Sequence, residues 1–129
     1  MVRPLLAKDS MKKIILTIVC LTALSSQANT NFLPTLMMKY PQISGTEMGD
    51  CMTCHTINKW QRNDFGKDLQ DWLRKNYVGE QSDPTQRTYS MEFIQRGLES
   101  IEEIDSDGDG VLNYEEFNNL TYPGDNTSF

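Results

Sequence analysis

Apolar residues recur along this chain at helical spacing and nowhere alternate with period two. Phe65, Leu69, Trp72 and Leu73 fall on one face with charged residues between them, which predicts an amphipathic helix over about 63–77. Phe93, Ile94, Gly97, Leu98, Ile101 and Ile104 line one face of the stretch 91–104, and Ser90 stands where a hydroxyl can cap its first turn. Two shorter helices are expected, one in "LPTLMMKY" between Pro34 and Pro41 and one in "NYEEFNNL" at 113–120. "VGEQSDPTQRTY" at 78–89 reads as a loop, and "TYPGDNTSF" at the end as a fraying tail. With no βαβ pattern and no repeat, the expected fold class is all-α.

The beginning of the chain follows a different pattern. Lys12 and Lys13 precede an apolar run from Ile14 to Leu24, and Ser26-Gln27-Ala28 forms a small-residue cleavage pattern. This is the layout of a secretory signal over residues 1–28, with Met11 as the expected true start and cleavage after Ala28. The run is shorter than the roughly 20 apolar residues that cross a bilayer, so no span is expected after cleavage. Val19, before Cys20, is not the small residue that lipidation wants. Three further regions follow: 29–89 around the first motif below, 90–121 around the second, and a tail at 122–129.

Signal removal changes the charge and the cysteine count. Residues 1–28 hold four bases and one acid, so their loss takes the net charge from −6 to −9. Such a chain is repelled by nucleic acid and anionic lipid and suits cations or a basic partner surface. Cys20 leaves with the signal, and the remaining Cys51 and Cys54 cannot build a multi-bridge disulfide scaffold. A core of this size gains from a metal or cofactor.

Two motifs carry chemistry. The first is "CMTCH", in which Cys51 and Cys54 can add across the vinyl groups of a porphyrin while His55 ligates the iron. In an exported chain this pattern predicts covalent haem c. A Cys51–Cys54 disulfide is the alternative. Zinc has too few ligands here, and a thioredoxin-like dithiol lacks its α/β frame. His55 is the sole histidine, so a sixth iron ligand within the chain falls to a methionine. Among Met37, Met38, Met48, Met52 and Met91, the expectation is Met91.

The second motif, "DSDGDGVLNYEE" at 105–116, fits the EF-hand loop position by position. Asp105, Asp107 and Asp109 take positions 1, 3 and 5, and Gly110 the sharp turn at 6. Val111 offers its carbonyl at 7, Asn113 sits at the often water-mediated position 9, and Glu116 is the bidentate carboxylate at 12. Hard oxygens at this spacing select calcium. A lone loop in an exported chain is similar to the calcium loops of dockerins and thrombospondin type-3 repeats as well as to sensor EF-hands.

The order of these elements resembles that of a group of small secreted bacterial proteins. Those carry one C-x-x-C-H, then an Asn-x-Phe-Gly element, here Asn63, Phe65 and Gly66, then a calcium loop. Temptin-like secreted proteins have a related layout, in which the cysteines are disulfide partners. The resemblance covers about residues 49–118 and implies close backbone approach at Gly66, to a haem face or a facing helix. The expectation is a small cytochrome c-like helical domain ending in helix–calcium loop–helix, periplasmic or secreted. It would bind calcium and haem c and pass single electrons to a redox partner with a basic surface. The rival is a secreted, non-redox, calcium-dependent binding module with a Cys51–Cys54 disulfide. An enzyme or small-ligand sensor with an open iron site would lack a second histidine for acid–base work.

Overall fold

The computed structural model describes residues 31–58, 61–79 and 88–128. The predicted signal, residues 1–28, lies outside them, as does most of the predicted 78–89 loop. Four α-helices and no strands occur among the described residues: α1 (Phe32–Lys39), α2 (Asp64–Asn76), α3 (Met91–Ile101) and α4 (Asn113–Asn119). The all-α expectation holds for these residues, and none of their helices is long and apolar enough to cross a membrane.

Local chemistry explains where each helix starts and stops. α1 begins at Phe32, ahead of Pro34 rather than after it, because proline in a first turn gives up only an N–H that would lack a helical partner. It ends before Pro41, and three short 3-10 turns follow, Pro41–Ile43, Glu47–Gly49 and Cys51–Thr53. Asn63 caps α2 by accepting from the Gly66 N–H at 2.9 Å. Asp64 in its first turn and Arg74 and Lys75 in its last complement the helix dipole. Ser90 caps α3 as predicted, accepting from the Phe93 N–H at 3.2 Å.

The predicted apolar faces are the buried ones, with one correction. Phe65, Leu69 and Leu73 of α2 and Ile94, Leu98 and Ile101 of α3 are core residues, with Trp72 and Phe93 packed beside them. Ile104 is 41% exposed instead of buried. The helix stops at Ile101 because the backbone beyond it is taken by loop closure: the Asn113 N–H reaches the Ile104 carbonyl at 2.9 Å, and the Tyr114 N–H reaches that of Glu102 at 3.0 Å.

α3 packs against both α1 and α2. A Cβ on Gly97 would stand 3.0 Å from Leu69 Cδ1 and 3.1 Å from the Trp72 ring, so this glycine permits close approach of α2 and α3. Phe117 of α4 is fully buried; it stacks on Tyr40 with centroids 4.1 Å apart and meets the edge of Phe65 at 5.4 Å. That one ring joins α4 to the chain after α1 and to the start of α2. Lys39 pairs with Glu102 at 2.7 Å between the ends of α1 and α3.

Residues 121–128 form a strap instead of the predicted fraying tail. Leu120 ends α4 in the left-handed region at φ 60°, turning the chain back. Pro123 is fully buried, the Tyr122 N–H donates to Ser128 Oγ at 2.7 Å, and the Ser128 N–H to the Asp125 carbonyl at 2.9 Å. The strap lies against Asn63, where a Cβ on Gly124 would overlap the asparagine side chain. Proline and glycine at 123–124 look like breakers in sequence; in space they are the packed part of the strap.

Candidate functional sites

The loop 105–116 is held by its own carboxylates. Asp105 accepts from the Gly108 and Gly110 N–H groups at 2.7 and 2.9 Å, one on each oxygen. Asp107 Oδ1 accepts from the Asp109 N–H at 3.2 Å, and Asp109 Oδ1 from the Val111 N–H at 2.8 Å. Gly108 and Gly110 take φ values of +78° and +97°, which side chains rarely adopt. The turn is tight, and ligand oxygens of Asp105, Asp107 and Asp109 lie within 4.8 Å of one another.

Four buried carboxylate oxygens have no hydrogen-bond partner: Asp107 Oδ2, Asp109 Oδ2 and both oxygens of Glu116. Glu116 has no exposed surface. Burial, then the charges of Asp107, Asp109 and Asp105, push its carboxyl up to about 8. Asp107 is also raised, first by burial, with the hydrogen bond from the Asp109 N–H and the nearby backbone of Asp125 opposing the shift. A buried charge without a partner costs several kcal/mol, about as much as a folded domain can tolerate. A cation among these oxygens removes that cost.

Asn113, predicted at the water-mediated position, also has a structural task. It is fully buried, and its Nδ2 donates to the Ile101 carbonyl at 2.7 Å and to Ser106 Oγ at 2.9 Å. Its Oδ1 accepts from the Ser106 N–H at 3.4 Å. It clasps the loop shut from within, while the unpartnered oxygens belong to the acids alone. Glu115, which no pattern singled out, accepts from the Leu112 N–H at 3.3 Å and steadies the entry to α4.

The "CMTCH" motif forms one 3-10 turn, with the Cys54 and His55 N–H groups both donating to the Cys51 carbonyl at 3.2 and 3.0 Å. Asp50 caps it through the Cys51 N–H, and the fully buried Thr53 donates its hydroxyl to the Met48 carbonyl. The chain then doubles back: the Thr56 N–H donates to the Gln61 carbonyl at 3.0 Å and the Asn63 N–H to that of Cys54 at 3.1 Å. His55 Nδ1 lies 3.2 Å from the same Gln61 carbonyl. A carbonyl only accepts, so Nδ1 carries the hydrogen and Nε2 of the neutral ring keeps its lone pair.

The two thiols are unbonded and differ in setting. Cys51 is exposed, whereas Cys54 packs against the apolar core, where burial pushes its thiol up to about 12 against the opposing pull of Arg62. Gly66 makes the close approach expected of it, but to the motif itself: a Cβ there would overlap the Cys54 carbonyl oxygen. Asn63 completes the latch. While capping α2, its Nδ2 donates to the Thr53 carbonyl at 2.9 Å and to that of Met52 at 3.3 Å. Asn-x-Phe-Gly is thus a clamp on the turn. Asn63 was visible only as an element of that pattern; a capping residue three positions before a glycine was the available signal.

Met91 is placed far from His55. Its neighbours Ser90 and Phe93 border a groove of about 570 Å³ with Trp72, Asn76 and Tyr77, at the C-terminal end of α2. Gly66 and Cys54 meet at the other end, about 15 Å away along the helix at 1.5 Å per residue. The structure does not bring Met91 to the imidazole. Met48 is buried in the core and Met38 is 70% exposed.

Compared with protein-family models, curated proteins and solved structures, the chain matches none. The resemblance to temptin-like proteins rests on its motifs alone.

Proposed function

We propose that the protein is an exported calcium-binding protein with one EF-hand-type loop, in which Asp105, Asp107, Asp109 and Glu116 hold the ion. The observation that carries this reading is Glu116: fully buried, with neither oxygen hydrogen-bonded and three aspartates as its electrostatic neighbours. Val111 supplies the backbone carbonyl that the loop pattern calls for. Outside the cytosol even an affinity of roughly 10⁻⁴–10⁻³ M is enough to fill such a site, so the ion serves structure rather than signalling. Isothermal titration of calcium into the purified chain tests this. Binding at one site per chain is expected; absence of heat at millimolar calcium would overturn it.

The CxxCH turn carries, in the same proposal, a covalent haem c held by Cys51, Cys54 and His55. Support comes from the imidazole, whose Nδ1 is tied to a backbone carbonyl so that Nε2 is the donor left for iron. When bound, that group supplies a one-electron couple, and the acidic surface would meet a redox partner with a basic one. The second reading, a non-redox calcium-dependent binding module with a Cys51–Cys54 bridge, is favoured by Cys54, a sulfur packed against core. Expression with the signal in a host that attaches haem c separates the two by intact mass and absorbance. A coloured product heavier by one haem is expected; a colourless one lighter by two hydrogens means the bridge.

A further inference from the structure

The acidic loop and the CxxCH turn lie far apart in sequence, yet one segment touches both. Thr121 begins the strap with its N–H on the Glu116 carbonyl at 2.9 Å. Asp125, four residues on, donates its N–H to the Tyr122 carbonyl at 3.1 Å, and its backbone passes close enough to Asp107 to favour the charged carboxylate. Between them Gly124 is pressed against Asn63, the residue that holds the carbonyls of Met52 and Thr53 and caps α2. Tyr122 sits within the fields of Glu47 and Asp50, just ahead of Cys51. A second path runs through the core: Phe117, next to Glu116, meets the ring of Phe65, next to Gly66.

We infer that calcium binding in the acidic loop and the order of the CxxCH turn are coupled through this strap, with Gly124 and Asn63 as the contact that transmits it. The inference rests on the calcium reading above and extends the ion's structural reach from the loop to the turn. Without a cation, the carboxylates of Asp105, Asp107 and Asp109 repel one another, and the strap, which starts on the Glu116 carbonyl and passes Asp107, rests on a loosely set loop. A cation fixes that loop. The strap then holds Gly124 against Asn63, and Asn63 cannot swing away without releasing the Gly66 N–H and the two carbonyls of the turn. Coupling of this kind is reciprocal, so whatever loosens the turn also weakens calcium.

Hydrogen exchange read by mass spectrometry on the full purified chain, with calcium or with chelator, tests the coupling. Calcium is expected to slow exchange in residues 101–118 and also in 49–68, where the Cys54, Asn63 and Gly66 amides are the reporters. The Gly124→Ala variant places a Cβ on Asn63 without touching the loop; it should lose the protection at 49–68 and bind calcium about fivefold or more weakly. Thr127→Ala, at an exposed part of the strap, serves as the folded control and should behave as the parent. Protection confined to 101–118, or undiminished coupling in Gly124→Ala, would overturn the inference while leaving the calcium reading intact. No binding by the parent chain would overturn both.

Discussion

The acidic loop and the CxxCH turn are both short, and in both a side chain bonds to backbone to close the fold, but they differ in what is left over. In the loop, backbone N–H groups are satisfied by Asp105, Asp107 and Asp109, and four buried carboxylate oxygens remain without partners. In the turn, Asn63, Asp50 and Gln61 take up polar groups, the sulfur of Cys54 is accommodated by core, and the buried atom left unpartnered is the neutral Thr56 hydroxyl. Leftover buried charge points to a ligand because the fold is costly without one. The turn carries no comparable leftover charge, so its geometry suits a bridge and a prosthetic group alike.

The largest expected effect is at the ring both regions share. Phe117→Ala empties a fully buried site between Tyr40 and Phe65 and should cost about 3–5 kcal/mol in chemical denaturation. If the loop and the turn were independent, hydrogen exchange in this variant would rise in one and not the other; a rise in both is expected. Next comes Glu116→Gln, which should weaken calcium about a hundredfold by removing one of four charges from the ligand set. The same variant should raise the melting temperature of the calcium-free protein at pH 9, because an unpaired buried carboxylate is gone. Weaker calcium binding with a lower melting temperature would make Glu116 a structural residue instead of a ligand.

The contrast also has a pH signature. Glu116 titrates near 8 in the calcium-free fold and near 4.5 unfolded, so between those values the native state holds the extra proton. Stability of the calcium-free protein is therefore expected to fall as pH rises from 4.5 through 8. Calcium must displace that proton, so affinity should rise across the same window, with proton release visible as a buffer-dependent heat. Smaller still is the difference between Cys54→Ser and Cys51→Ser. Both remove one thiol of the pair, but only the first puts a hydroxyl against core, at about 1–3 kcal/mol more by thermal melting. Equal melts would mean that Cys54 is not packed. Ser90→Ala, at the start of α3 and outside both sites, should lose about 1 kcal/mol with calcium affinity unchanged.

What was legible in the sequence is local. The acidic loop is a run of twelve adjacent positions matched against one template, and the faces of α2 and α3 repeat within a turn or two. The clasp made by Asn113 was not legible, because its partners, Ile101 and Ser106, are chosen by how the loop closes, which a position template does not contain. Met91 was attractive as a helix-opening methionine, but the antiparallel packing of α3 on α2 carries it to the opposite end from His55. The strap was missed for the same physical reason: Pro123 and Gly124 have ordinary turn chemistry, and only their contact with Asn63, sixty residues away in the chain, makes them structural.

The burial of Pro123 and the seating of Gly124 against Asn63 also decide where the strap is open to attack. Proteases take exposed, loosely held backbone, and in the strap the exposed positions are Asp125 to Thr127. A cut there would spare Pro123 and Gly124, so the wall behind Asn63 would outlast the nick.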